Sequence, residues 1–142
     1  MEGQIDPAAD ALWDSVAYIA SASGVEDRQP RSDADWAAVR REALVLIEAA
    51  NLLTVPGRSV RHGTEAARPG ELNTGQIQAL IEARRQEFFT LAGVLQRAGL
   101  GALAAIEARD AAGLMEAGGR IDAACEACHL IYWYPNQRSA GS

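Results

Sequence analysis

Apolar residues recur every three or four positions in four segments of the chain, the spacing that places side chains on one face of an α-helix. In the first segment, Leu12, Val16 and Ile19 share such a face. In the last, Leu114 and Ile121 do the same. The pattern therefore predicts four amphipathic helices, at about residues 7–23, 33–53, 74–108 and 110–134.

Polar and helix-breaking residues set the expected ends of these helices. Pro7 suits an early helical position, and either Ser32 or Asp33 would cap the second helix. The segment from Gly24 to Ser32 has the composition of a loop, and Pro135 would stop the last helix. In the third helix we expect either a break or a kinked continuation at its glycines, Gly99 and Gly101.

Four amphipathic helices in a chain of 142 residues predict one domain spanning residues 1–142. Alanine and glutamate are abundant, whereas isoleucine and valine are too scattered to build a sheet. We therefore expect an all-α fold without paired strands. Its simplest form is an antiparallel up-down-up-down four-helix bundle.

The net charge of −6 argues against nucleic acid and anionic membrane surfaces as partners, because both attract basic proteins. No stretch approaches the roughly 20 consecutive apolar residues of a membrane span. The first ten residues lack the basic start and apolar run of a signal peptide, so the protein is either cytoplasmic or a mature chain whose leader was removed.

One motif carries recognisable chemistry: Cys125-Glu126-Ala127-Cys128-His129 has the Cys-x-x-Cys-His pattern of covalent haem attachment. Two cysteines three positions apart reach the two haem vinyl groups, and the histidine that follows reaches the iron. On a helix, Cys125 and His129 share a side. The pattern predicts one haem c per chain, bonded to Cys125 and Cys128, with His129 as an axial iron ligand.

Two other kinds of site fit the same residues. A redox-active cysteine pair usually follows a strand in a βαβ unit, and the sequence indicates no strand there. A structural zinc ion normally takes four ligands. The two cysteines and the two histidines, His62 and His129, would meet that number, although His62 lacks zinc-finger spacing to the others.

The position of the motif resembles that in the class II cytochromes c, the family that includes cytochromes c′. These proteins carry the motif near the C-terminus of the last helix of a four-helix bundle, and here it begins at Cys125 of 142 residues. The segment from Asp110 through Gly118-Gly119 to Cys125 is similar to that helix. The residues after His129 depart from the family, whose members usually have polar residues there, one of them basic.

The resemblance implies where the haem pocket lies. Family members place either a methionine or an apolar residue of the first helix opposite the axial histidine. The first helix here contains no methionine, histidine or lysine, which makes Trp13, Val16 and Ala17 the candidate distal residues. Tyr132 and Trp133 are candidates for the proximal side of the haem, or they plug the end of the bundle.

Three further groups bear on this pocket. Met115 lies on the same helix as the motif, about 15 Å before Cys125, so we interpret it as a core residue and not as an iron ligand. His62 is an alternative distal ligand or an ordinary loop residue. One of Arg40 and Arg41 would pair with a haem propionate, although solvated surface charges are the more common interpretation.

These features predict a non-enzymatic c-type cytochrome that exchanges single electrons with redox partner proteins and can bind small gases at an open distal site. The alternative is a dedicated module for nitric oxide or carbon monoxide with no electron-carrier role, as the resemblance to cytochromes c′ implies. Peroxidase chemistry needs a distal acid or base, which Trp13, Val16 and Ala17 do not offer. Haem attachment of this kind implies export to the periplasm, and the resemblance allows a monomer or a homodimer.

Overall fold

The computed structural model describes residues 1, 3–22, 24–60 and 67–135. This part of the chain is mostly helical, with five helices and one two-stranded antiparallel hairpin. In chain order the elements are α1 (Ile5–Ser15), β1 (Ala17–Ser21), β2 (Gly24–Arg28), α2 (Asp33–Leu52), α3 (Thr74–Ala83), α4 (Arg85–Glu107) and α5 (Ala111–Tyr132).

The hairpin corrects three expectations. The first helix ends at Ser15 instead of about Ser23, Gly24–Arg28 is a strand instead of part of a loop, and the fold contains paired strands and so is not all-α. Val16 adopts extended backbone angles immediately after α1. Tyr18 and Ile19 are aromatic and β-branched residues that suit a strand, and Tyr18 pairs with Asp27 across the hairpin. Both strands lie almost wholly at the surface, so the hairpin adds little to the core.

The start of α2 is as predicted. The Ser32 hydroxyl accepts a hydrogen bond from the backbone N–H of Asp35, and the Asp35 carboxylate accepts one from the backbone N–H of Ser32. These reciprocal bonds satisfy two donors that the first turn of a helix leaves without partners. They lower the pKa of the exposed Asp35 carboxyl below its usual value.

The third predicted helix is divided, but at Arg84 and not at its glycines. Arg84 has backbone angles outside the helical region, so α3 ends and α4 begins around it. The helix continues without interruption through Gly99 and Gly101. Gly99 is buried against α2, where an added Cβ would stand only 2.9 Å from the Ile47 side chain. The glycine thus permits close packing of two helices.

Side-chain contacts define how the long helices run relative to one another. Arg40 of α2 pairs with Glu107 of α4, and Asn51 near the end of α2 accepts a hydrogen bond from Gln96, so these helices are antiparallel. Tyr132 of α5 contacts Phe88 of α4, whereas Arg120 lies against Gly101, so α4 and α5 are also antiparallel.

The first helix completes this arrangement by packing against both α2 and α5. The Trp13 indole N–H donates a hydrogen bond of 3.0 Å to the Gly118 carbonyl of α5. Asp6, seven residues earlier, lies close enough to Cys125 to influence its charge state. Since a lower residue number on α1 faces a higher one on α5, this pair is antiparallel as well.

The core lies between α1, α2, α4 and α5 and consists largely of alanine with a few branched residues. Four large side chains at its centre are fully buried: Leu12, Leu46, Leu114 and Ile121. Small residues such as Ala43, Ala102 and Ala117 are completely excluded from solvent between them. Alanine-rich contacts of this kind let helix backbones approach closely, so added volume at the contacts is poorly tolerated.

Among the described residues, one helix, Arg85–Glu107, is long and apolar enough to cross a membrane by length and composition alone. A core helix of a soluble protein meets the same criterion, and this helix packs against α2 and α5. The expectation that the chain has no membrane span therefore stays a prediction.

The contact at Gly99 gives a stability prediction. Gly99→Ala should lower the free energy of unfolding by about 1 kcal/mol, because the overpacking cost of about 1–3 kcal/mol exceeds the roughly 1 kcal/mol gained in helix propensity. Gly119→Ala is the matched control, since nothing lies within 4 Å of its added Cβ. That change should raise the free energy of unfolding by about 0.5–1 kcal/mol. Urea unfolding measures both, and equal effects would contradict the packing argument.

Candidate functional site

The Cys-x-x-Cys-His motif occupies the last two turns of α5. Asp110 caps the start of this helix by accepting a hydrogen bond from the backbone N–H of Gly113, and the helix ends at Tyr132. Cys125 and Cys128 are free thiols and are half-buried. Cys125 also packs against the hydrophobic core. Two thiols one turn apart are thus presented together near the C-terminal end of one helix.

The surroundings of the thiols favour their protonated forms. Burial, together with the negative charges of Asp6 and Asp122, raises the pKa of Cys125 to about 11. Burial and the neighbouring Cys125 raise the pKa of Cys128 to about 11. Redox-active cysteine pairs instead have lowered pKa values, for which a helix N-terminus or a nearby cation is responsible. The C-terminal position on α5 and the acidic neighbours oppose that activation.

The imidazole of His129 is half-buried and lies within a group of aromatic rings. It is edge-on to Trp133 at a centroid distance of 5.0 Å and contacts Tyr134 at 5.8 Å. Burial lowers the pKa of His129, although the charges of Asp6 and Glu126 act in the opposite direction. Burial thus favours the neutral ring, the form that binds metals. Within the described residues the imidazole makes no hydrogen bond.

The two aromatic residues predicted to lie near the haem have different environments. Tyr132 is buried, donates a hydrogen bond of 3.1 Å to the Arg84 carbonyl, and contacts Phe88 edge-on. It therefore closes the end of the helix packing where α3 meets α4. Trp133 is 40% exposed and lies beside His129. A role for either residue next to a haem stays a prediction.

Two hydrogen bonds fix the position of the segment after α5. The Tyr134 hydroxyl donates a hydrogen bond of 2.6 Å to the Glu126 carboxylate, which is on the preceding turns of α5. The backbone N–H of Leu72 donates a bond of 2.7 Å to the Trp133 carbonyl. Together these bonds hold the chain beyond the helix against His129. The sequence alone did not single out Tyr134 because nothing in the motif requires it.

Two of the three candidate distal residues line a groove between α1 and α5. Its volume is about 330 Å³, and its lining residues are Trp13, Val16, Met115, Gly118, Gly119 and Asp122. Ala17 is not among them, because it pairs with Arg28 in the hairpin. The structure thus places Trp13 and Val16 together but separates Ala17 from them.

The groove is displaced along α5 from the cysteines. Gly118, which Trp13 contacts, precedes Cys125 by two turns, or about 10 Å. The residue of α1 whose charge acts on the motif is Asp6. Its negative charge acts to raise the pKa values of both Cys125 and His129. The seven-residue spacing from Asp6 to Trp13 was the available sequence signal, but it became informative only once α1 was known to run antiparallel to α5.

The remaining candidates are distributed elsewhere. Met115 is 38% exposed at the α1–α5 groove, so its interpretation as a core residue is wrong. Arg40 forms an exposed ion pair with Glu107, near the start of α5 and far from the motif, whereas Arg41 is exposed on α2. His62 lies outside the described residues, so its role as an iron ligand stays a prediction.

The donor set suits a covalently held haem. The two thiols are free and adjacent, and the neighbouring imidazole has no competing hydrogen bond in the described chain. Small residues on the α1 side of α5, Gly118 and Gly119, leave an open groove that begins about two turns before the motif. Within the described residues no three histidine, cysteine, aspartate or glutamate side chains are grouped to hold a metal ion. The zinc alternative also needs His62, which lies outside those residues.

Comparison with protein-family models, curated proteins and solved structures finds no match to this chain. The resemblance to class II cytochromes c therefore remains a prediction from the motif and the helix order.

The contact between Tyr134 and Glu126 can be tested by alkaline titration. Burial, and secondly the hydrogen bond and charge of Glu126, raise the pKa of Tyr134 to about 12. Glu126→Gln should lower that pKa towards the ordinary value near 10, because it removes the charge but not the burial. Tyrosinate absorbance measures the change, and Tyr134→Phe identifies its signal. An unchanged titration in Glu126→Gln would contradict the assigned contact.

Proposed function

We propose that this chain is a c-type cytochrome with one haem bonded through Cys125 and Cys128 and held at its iron by His129. The observation that supports the proposal best is the state of these three side chains. Both thiols are free and neighbouring on one helix, and the adjacent imidazole has no competing hydrogen bond in the described residues. Redox thiol chemistry fits less well because the thiols have raised pKa values and acidic neighbours.

We further propose that α1, α2, α4 and α5 correspond to the four helices of a class II cytochrome c bundle, with α3 as an addition before the third. The antiparallel contacts of α2 with α4 and of α4 with α5 support this assignment. So does the hydrogen bond from Trp13 of α1 to Gly118 of α5. The motif then has the family's position near the C-terminus of the last bundle helix.

In this proposal the residues of the chain have distinct tasks. Cys125 and Cys128 fix the prosthetic group by thioether bonds, and His129 provides the proximal nitrogen, with its ring orientation constrained by Trp133 and Tyr134. A bound haem supplies reversible one-electron chemistry between ferric and ferrous iron. The negative charges of Asp6 and Glu126 near His129 favour the more positively charged, ferric state.

The distal side favours an open coordination position. From this part of the chain, Trp13 and Val16 line the groove and Asp6 lies near Cys125. Helix α1 contains no histidine, lysine or methionine. Met115 lines the groove, but it lies on the same helix as His129 and is not placed on the opposite side of a haem. This arrangement supports the second candidate function, binding of nitric oxide or carbon monoxide.

The cellular setting follows from the proposed attachment. Haem ligation at such a motif takes place outside the bacterial cytoplasmic membrane, so we propose a periplasmic protein. Redox partner proteins would receive or donate its electrons. We propose no enzymatic activity, and both a monomer and a homodimer agree with the proposal.

Covalent attachment can be tested by producing the chain together with a bacterial haem-ligation system. Acid-acetone extraction should leave the colour on the polypeptide, and the intact mass should exceed that of the chain by one haem. Cys125→Ala and Cys128→Ala should each retain at most one thioether bond, with a shifted haemochrome spectrum. Met115→Leu is the control and should attach haem normally, because it conserves volume at an exposed position. Colour that passes fully into the solvent would refute the proposal.

Carbon monoxide separates the two candidate functions. With an open distal position, the reduced protein should bind carbon monoxide without first losing a strong ligand, and the Soret band should shift accordingly. Met115→Leu should leave the spectra of both oxidation states nearly unchanged. A reduced spectrum insensitive to carbon monoxide, or one altered by Met115→Leu, would contradict the open position and favour a dedicated electron carrier.

A further inference from the structure

A second groove opens on the other flank of α5, between α5 and α4. Its volume is about 370 Å³. The floor consists of small apolar residues from both helices, including Val94, Ala98 and Ala124, and its rim carries two arginines, Arg97 and Arg120. Of the five motif residues, only Ala127, which lies between the two cysteines, lines this groove. Cys125, Cys128 and His129, the residues of the proposed haem site, do not line it.

The two guanidinium groups stand at opposite ends of the groove. A nitrogen of Arg97 lies 3.4 Å from where a Cβ of Gly93 would stand, so this side chain folds back along α4. A nitrogen of Arg120 lies 3.6 Å from the corresponding point at Gly101. Residues 93 and 101 are separated by about 12 Å along a helix. The groove is thus an apolar trough with a cation near each end.

Both cations are available for an external partner. Arg97 forms no ion pair within the described residues. Arg120 contacts Glu116 of its own helix only at 3.8 Å, with both side chains exposed. Neither guanidinium group thus has a close carboxylate partner within the described residues. They complement an anionic ligand with apolar character between its charges.

We propose that the α4–α5 groove binds an acidic amphipathic helix of a partner protein, with two carboxylates about two turns apart paired with Arg97 and Arg120. Two antiparallel helices lined by small residues such as Ala98 and Ala124 form a groove into which a third helix packs closely. Carboxylates seven residues apart on that third helix lie on one face and about 10 Å from each other. That spacing matches the two cations once side-chain length is included.

The parts of this chain outside the described residues do not supply such a ligand. Among the residues outside the described ranges, only Glu2 and Glu65 have carboxylate side chains, and they lie in separate segments. Neither segment can therefore pair with both arginines through its own side chains. The charge pattern points to a separate molecule.

The proposal can be tested with the full chain and a fluorescein-labelled helical peptide. The probe is rich in alanine and leucine and bears two glutamates seven residues apart; its control has glutamine at both positions. The glutamate peptide should bind more tightly, and added salt should weaken its binding because the pairs are exposed. Arg97→Gln/Arg120→Gln should weaken it about two- to thirtyfold, the range expected for two exposed ion pairs.

Matched variants distinguish the groove from net charge. Arg41→Gln/Arg85→Gln removes the same charge from exposed arginines that do not line the groove, and it should change affinity by less than about twofold. Ala123→Leu adds bulk at an exposed groove position and should weaken binding with both arginines retained.

Equal losses in the two arginine doubles, or no preference for the glutamate peptide, would overturn the proposal. Self-association that Arg97→Gln/Arg120→Gln abolishes would also overturn it, because the occupant would then be a second copy. Sedimentation velocity of the same variants detects that case. Peptide binding and haem attachment are measured by separate assays, so a failure of one proposal can be told from a failure of the other.

Discussion

The close approach of helix backbones at small residues is the constraint on which the rest of this structure depends. α1 meets α5 at Gly118, where an added Cβ would stand 3.1 Å from the Trp13 ring. The indole N–H also donates its hydrogen bond to the carbonyl of that glycine. A single residue thus sets both the separation and the axial register of the two helices. That register places Asp6, rather than Trp13, beside the cysteines.

The same constraint acts between α4 and α2, which approach each other closely at Gly99. A core made mainly of alanine gains little apolar burial per residue, so it depends on short distances between helices to exclude water. Fully buried large side chains, among them Leu46 and Ile121, fill the centre. The two glycines therefore perform a packing function, which explains why a helix-weakening residue is tolerated in the interior of α4.

Sequence periodicity predicted the long helices well, because burial on one face leaves a repeating pattern. It failed at the hairpin, where Ile19 continues the helical phase of Leu12 and Val16 although it lies in an exposed strand. The strand preference of Tyr18 and Ile19 determined the conformation of that segment, because its residues lie mostly at the surface and have little core contact that would favour a helix. It also failed for Met115, whose apolar character suggested burial. Only the tertiary arrangement shows that α1 leaves the Met115 side of α5 partly uncovered.

For the site, the motif alone specified which residues come together, because Cys125, Cys128 and His129 are adjacent in sequence. Their electrostatic environment could not be derived in the same way. Asp6 is contributed by a different helix, and Tyr134 reaches Glu126 only because the chain turns back after α5. The result is an asymmetry across one helix: the flank that faces α1 carries Asp122, and the flank that faces α4 carries Arg120, with Arg97 of α4 on the same groove. An acidic helix would be repelled from the first flank and attracted to the second.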